Sequence, residues 1–203
     1  MIDFITFCDY TGTFAFAISG IRLASAKQFD WFGAYVVGVV TAVGGGTLRD
    51  VLLNATPFWM GQASYLIISA LALLFVIIFR KYVISLNNTF FIFDAIGLGL
   101  FGVVGIEKAL TFGFPMWVAI IMGTITGAFG GMIRDILINE VPLIFRKDIY
   151  ALACVFGGII YYICLQMGLG SSLTQFIAAA SIFVSRILSV KYHVSVPVLK
   201  GEE

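Results

Sequence analysis

The sequence predicts an all-α integral membrane protein of seven transmembrane helices: a three-helix unit that occurs twice, followed by a seventh helix. Three observations predict it. Of the 203 residues, 61% are hydrophobic and 11% charged, with mean hydropathy +1.05, whereas soluble domains carry about 25% charged residues. The apolar residues fall into continuous runs close to the roughly 20 residues that a helix needs to cross a bilayer, not the alternating pattern of barrel strands. A glycine-rich charged motif also recurs after 85 residues, and residues well outside it recur at the same offset.

In chain order, the first unit comprises spans at 4 to 25, 31 to 56 and 64 to 80. The N-terminus, Met1-Ile2-Asp3-Phe4, lacks a basic region and a small-residue cleavage site, so it reads as a retained first span. Span two has Ala34, Gly38, Ala42 and Gly46 at every fourth position, one face of a helix along which another backbone can approach. Its end carries Gly44-Gly45-Gly46-Thr47-Leu48-Arg49-Asp50, followed by Asn54 and Pro57. The second unit has spans at 90 to 110, 115 to 138 and 149 to 167. Its middle span has the small-residue stripe Ala119, Gly123, Gly127 and Gly131, and the motif Gly130-Gly131-Met132-Ile133-Arg134-Asp135, followed by Asn139 and Pro142. Spans one and four, rich in glycine (Gly12, Gly20, Gly97, Gly105), are the natural partners at the centre. Span seven, 173 to 190, has no counterpart, and residues 1–203 form a single membrane domain.

Without a gap, Asp9 aligns with Asp94, Gly12 with Gly97, Phe16 with Phe101, Gly20 with Gly105, Thr41 with Thr126 and Tyr65 with Tyr150. A unit of three spans reverses the direction of entry, so the copies are expected to form an inverted repeat about an axis in the membrane plane. With the N-terminus outside, the cytoplasmic segments hold Arg22, Lys27, Arg80, Lys81, Arg146, Lys147, Arg186, Lys191 and Lys200, and the external loops hold Lys108. The positive-inside rule therefore places the N-terminus outside and the C-terminus in the cytoplasm.

Each glycine costs about 1 kcal/mol relative to alanine in a helix interior, and a mid-membrane arginine about 2.5 to 3.5 kcal/mol. Two such insertions predict that spans two and five break at Gly44, Gly45 and Gly46, and at Gly130 and Gly131, around a hydrated centre. The competing reading is that the glycines permit close packing while Arg and Asp form a buried structural ion pair. Thr41, Thr47, Thr124 and Thr126 either line a pore or bond to the preceding helical turn. The acids Asp9, Asp50, Asp94 and Asp135 exceed Arg49 and Arg134 by two, a field that favours cations. Adjacent helix positions point about 100° apart, which excludes Asp50 as the partner of Arg49; matching depth in the membrane assigns Asp9 to Arg49 and, through the inverted repeat, Asp94 to Arg134, leaving Asp50 and Asp135 for a pore.

Other classes find little support. The basic residues are scattered, which argues against nucleic acid as a partner. Cys8, Cys154 and Cys164 lack metal-site or disulfide-framework spacing. The sole histidine, His193, lies in the tail, and no acid, base and nucleophile set is recognisable, so an enzyme, a metal site and a cofactor are not expected.

Two copies of a three-span unit with a Gly-Gly-x-x-Arg-Asp core, plus a seventh span, resemble the prokaryotic branch of the trimeric intracellular cation channel family, some of whose sequences are also described as a glycine transporter domain. The resemblance covers almost the whole chain. It implies a homotrimer in a prokaryotic plasma membrane, with an hourglass pore in each protomer that passes K⁺ and Na⁺. It further implies kinks at the two glycine motifs; on our reading of the motifs Arg49, Asp50, Arg134 and Asp135, with Asp9 and Asp94, form a charged constriction. The second motif has Phe129 where the first has Gly44. The alternative is a secondary carrier for a small zwitterion such as glycine, since inverted repeats with broken helices also build transporters.

Overall fold

Six turns of similar chemistry divide the chain. In a computed structural model that describes residues 4–80, 89–147 and 149–197, Gln28, Asn54, Gly113, Asn139, Gly168 and His193 all have positive φ, between 52 and 80°. Each follows the end of a helix, and the next amide reaches back five residues, as Ala55 N does to Asp50 O (2.8 Å) and Glu140 N to Asp135 O (2.8 Å). This is the Schellman ending, for which glycine and asparagine pay the smallest conformational cost. It stops the second helix at Leu52, short of residue 56.

Among the described residues there are seven α-helices, five of these turns lying between them and the His193 turn after the last: α1 (Phe4–Ala26), α2 (Trp31–Leu52), α3 (Ser64–Ile78), α4 (Thr89–Thr111), α5 (Met116–Leu137), α6 (Ala151–Gln166) and α7 (Ser171–Lys191). Asp30 caps α2, accepting from Gly33 N at 2.6 Å, and Pro115 precedes α5. Five of the helices are long and apolar enough to cross a membrane; α3 and α6 are shorter apolar helices. Trp31, Phe32, Ile78 and Trp117 are exposed, as expected of side chains that face lipid.

Helices α1, α2, α4 and α5 form the centre. α1 packs on α2 and α4, and α5 packs on α2 and α4. The flanks differ: α3 leans on α1 and α2, whereas α6 packs chiefly on α5 and α7, and α7 takes the place beside α4 that α3 has beside α1. Across the centre the contacts are reciprocal. Gly12 faces the ring of Phe101, and Gly97 the ring of Phe16; those two rings, equivalent in the duplication, lie 5.3 Å apart. A Cβ at Gly45 would fall against the carbonyl oxygen of Thr126, and one at Gly130 against that of Thr41. Equivalent residues of the two copies thus exchange partners across the centre.

The expected helix breaks are absent. α2 runs through Gly44, Gly45 and Gly46, and α5 through Gly130 and Gly131. The reason is close approach: where α2 and α5 cross, backbone touches backbone, and only a residue without Cβ fits. At this level the backbones of α2 and α5 are in direct contact at Gly45 and Gly130.

Candidate functional site: two buried charge clusters

Each motif ends in an arginine and an aspartate, and the chain that follows folds back onto them. After the left-handed Asn54, Pro57 opens a short 3-10 turn, Phe58–Gly61, and Phe58 N donates to Asp50 Oδ2 at 2.8 Å. Pro142 opens Leu143–Phe145 in the same way, and Leu143 N donates to Asp135 Oδ2 at 3.0 Å. The Asn and Pro of the repeated motif thus bring a backbone amide to the aspartate eight residues earlier.

In the first cluster, Arg49 Nε donates to Asp50 Oδ1 at 2.8 Å, and Lys108 Nζ from α4 reaches the same oxygen at 2.9 Å. The Arg49 guanidinium also lies 5.6 Å from the centre of the Phe58 ring, a cation–π arrangement. Asp9 accepts from the Tyr65 hydroxyl at 3.3 Å, and Thr47 from Trp59 Nε1 at 3.0 Å. In the second cluster Arg134 is fully buried. Its Nε donates to Asp135 Oδ1 at 2.9 Å, and its Nη1 binds Asp94 Oδ1 and the Ser19 hydroxyl (2.8 Å). One guanidinium therefore joins α1, α4 and α5.

The pairing expected for the second motif, Asp94 with Arg134, is present, but the one expected for the first is not. Arg49 takes its neighbour Asp50, because a long side chain can bend back across the 100° between adjacent positions. Asp9 turns to Tyr65 instead, and no salt bridge joins it to Arg49 among the described residues. Asp50 and Asp135 are not free: each binds an arginine and caps a backbone amide. Lys108 belongs to the last turn of α4 and not to an external loop, and it cancels part of the acidic surplus. Arg22 and Arg186 are likewise buried within α1 and α7 and are not loop charges, while Lys81 and Lys200 lie outside the described residues. Thr41, Thr47, Thr124 and Thr126 each donate to the carbonyl four residues back, at 2.6 to 2.9 Å.

The second cluster opens into a cavity of about 200 Å³, lined by Leu23, Lys27, Arg134, Asp135, Glu140 and Arg146 among others. At this cavity Lys27 Nζ donates to Glu140 at 2.7 Å, and Arg146 stands 3.5 Å from its other oxygen. The hydrogen bond from Lys27, with its charge, holds the Glu140 carboxyl below its usual range. One intramembrane acid escaped the sequence reading. Glu107 in α4 accepts from Tyr161 of α6 and Gln175 of α7. The signal was a polar Glu-Lys pair inside the fourth apolar span, hidden because Lys108 was assigned to a loop.

A duplicated three-helix unit with buried arginine–aspartate clusters and a lipid-facing apolar exterior defines a multi-pass α-helical membrane protein. A family profile described as glycine transporter matches twice, over residues 6–81 and 91–166, reproducing the 85-residue offset. A membrane protein of Vibrio cholerae is 41% identical over 191 residues, covering 93% of this chain and 80% of that one. The inner membrane protein YadS of Escherichia coli K12 is 36% identical over 96% of each chain. Among solved structures, the trimeric intracellular cation channel orthologue from Rhodobacter sphaeroides is 34% identical, with TM-score 0.88, covering 93% of this chain and 98% of that one. The chain belongs to the prokaryotic branch of the trimeric intracellular cation channel family.

Proposed function

We propose that the protein is a passive channel for monovalent cations, K⁺ and Na⁺, with a hydrophilic pore inside each protomer of a homotrimer. The observation that carries this reading is the agreement in fold and sequence, over 93% of the chain, with the Rhodobacter sphaeroides orthologue, which is itself described as a trimeric cation channel. The repeats, 4 to 80 and 90 to 167, with the seventh helix at 173 to 190, are inverted about an axis in the membrane plane. The α2–α5 crossing at Gly45 and Gly130 is then the constriction. Arg49, Asp50 and Asp9 stand on one side of it, and Arg134, Asp135 and Asp94 on the other. Gly44, Gly46, Gly131, Thr41 and Thr126 shape that crossing by letting backbones approach.

The orientation is N-terminus outside and C-terminus cytoplasmic, in a prokaryotic plasma membrane. Five loop or terminal cations, Lys27, Arg80, Arg146, Lys147 and Lys191, support it, and Lys108 at the opposite end is turned inward onto Asp50. Cysteines at Gly113 and Lys147, in a background without native cysteines, test it: an impermeant maleimide added to intact cells should label only the first.

The carrier reading draws on the profile's description as a glycine transporter. Its structural support, helices broken at mid-membrane, is removed by the continuity of α2 and α5. Reconstitution in liposomes under a K⁺ gradient, followed by planar bilayer recording, decides between the two. Discrete unitary currents without added solute support the channel; gradient-coupled glycine uptake without such currents sinks it.

A further inference from the structure

Helix α7 stands outside the duplication, yet it buries an arginine completely. Arg186 is 0% exposed. Its guanidinium lies 4.9 Å from the centre of the Phe91 ring and 5.0 Å from that of Tyr150, and Nη1 donates to Ile149 O at 3.0 Å. Its Nε and Nη2 have no hydrogen-bond partner among the described residues. Two other side chains share that condition nearby, Asp94 through Oδ2 and Tyr150 through its hydroxyl, while Arg134 Nη2 has only the ion-pair contact to Asp135 Oδ1 at 2.9 Å. The four belong together. The Tyr150 hydroxyl and Arg134 Nη2 both lie against Gly131, and Asp94, Arg134 and Arg186 all act electrostatically on Tyr150.

The first cluster shows what the second lacks. There Asp9 and Asp50 are balanced by Arg49 and by Lys108, whose counterpart in the other repeat is Leu23. In the buried layer Arg134 faces both Asp94 and Asp135, while the cavity's other cations, Lys27 and Arg146, are exposed and engaged by Glu140, so a second buried cation offsets a costly surplus of negative charge. We infer that Arg186 is the second cation of the Arg134 cluster, supplied by α7 where the first cluster has Lys108 and the equivalent position holds Leu23. It acts as a positioning residue, holding Asp94 and Arg134 in place across Tyr150, with the unpartnered donors and Asp94 Oδ2 suited to bridging water. This assignment does not depend on what the protein transports.

The test moves the charge rather than merely deleting it. Leu23 lines the same cavity as Arg134 and Asp135, so a lysine there can approach Asp135 as Lys108 approaches Asp50. Thermal stability of the purified full-length protein in detergent is followed by size-exclusion chromatography for Arg186→Leu, alone and with Leu23→Lys or Leu23→Met. Arg186→Leu should lower the midpoint on the order of 10 °C. Leu23→Lys should recover at least half of that loss, and Leu23→Met should not. If Arg186→Leu does not accumulate in membranes, accumulation becomes the readout, and only Leu23→Lys should restore it. The inference is overturned if Arg186→Leu matches the parent, or if lysine rescues no better than methionine, which would make Arg186 a packing residue only.

Discussion

The two motif clusters share an aspartate, the Arg-Asp pair, an asparagine, a proline and a tyrosine in the same order but do not solve the same electrostatic problem. In the second, one buried guanidinium holds acids from two helices and a hydroxyl from a third. In the first, Arg49 keeps only its neighbour, shares it with Lys108, and leaves Asp9 to a tyrosine. The divergence traces to single positions: Ser19 stands opposite Val104 in the alignment of the copies, and Lys108 opposite Leu23. A duplicated unit thus conserves the backbone device, an aspartate capping the amide eight residues on, while charge compensation is rebuilt from whichever helices lie alongside.

The comparison breaks most directly at the arginines. Arg134→Leu strands Asp94 and Asp135 in a buried site and should cost about 3 to 5 kcal/mol. Arg49→Leu leaves Lys108 on Asp50, so its cost should be less, about 1 to 2 kcal/mol, on the scale of a hydrogen bond to a charged group. Thermal unfolding of both variants in the same detergent gives the order; a larger loss at Arg49 would mean that the second cluster is not the tighter one.

The acids of α1 and α4 sharpen the contrast. Asp94→Asn removes an ion pair from Arg134, whereas Asp9→Asn weakens one long hydrogen bond from Tyr65. The expected losses are about 2 to 3 and about 0.5 to 1 kcal/mol respectively. Equal losses would show that Asp9 depends on Arg49 after all.

The glycines test where the two copies meet. Alanine at Gly45 or Gly130 would push Cβ into a carbonyl of the opposite helix, which should cost about 1 to 3 kcal/mol. At Gly44 the nearest atom to an added Cβ is the end of the Ile133 side chain, at 3.2 Å, which can give way, so Gly44→Ala should cost under about 1 kcal/mol. If Gly44→Ala changes unitary conductance more than Gly45→Ala or Gly130→Ala, the crossing is not the constriction.

Most of the architecture was legible because hydrophobic length and the 85-residue offset are properties of the chain itself. The seven helices, their apolar exterior and the Asp94–Arg134 pair follow from them. The helix breaks did not, because a glycine in a membrane helix serves equally to break it or to admit a neighbour, and the choice rests on what packs against it. The partner of Arg49 was missed for a related reason. Cβ directions on a helix exclude contact between adjacent short side chains, but a guanidinium several bonds away is not bound by them. The positive-inside reading counts Lys108 with the external loops and Arg186 with the cytoplasmic segments because each stands near a span end, and only the fold shows each turned inward.

The smallest expected effect concerns a feature present in the second repeat alone. Glu140, bound by Lys27 and faced by Arg146, corresponds to Ala55, so among the described residues no equivalent ion pair ties the turn after α2. Its carboxyl is held below the usual range chiefly by the Lys27 hydrogen bond. A depressed acid contributes fully above the unfolded carboxylate pKa and loses its contribution as pH falls through the lower folded value. The Lys27–Glu140 contact should therefore persist at neutral pH and weaken only under distinctly acidic conditions. Hydrogen exchange over residues 138–146, measured for the parent and for Glu140→Gln at each pH, reads it without interference from intrinsic rates. The parent should be the better protected at neutral pH, and the difference should vanish as Glu140 protonates. Residues 53–61, the equivalent turn of the first repeat, should show no difference between the two proteins at any pH. Because all three side chains are exposed to water, salt should shrink the effect as well. A difference that survived both acid and high salt would have to come from the exchange of a carboxyl for an amide in hydrogen bonding, not from charge.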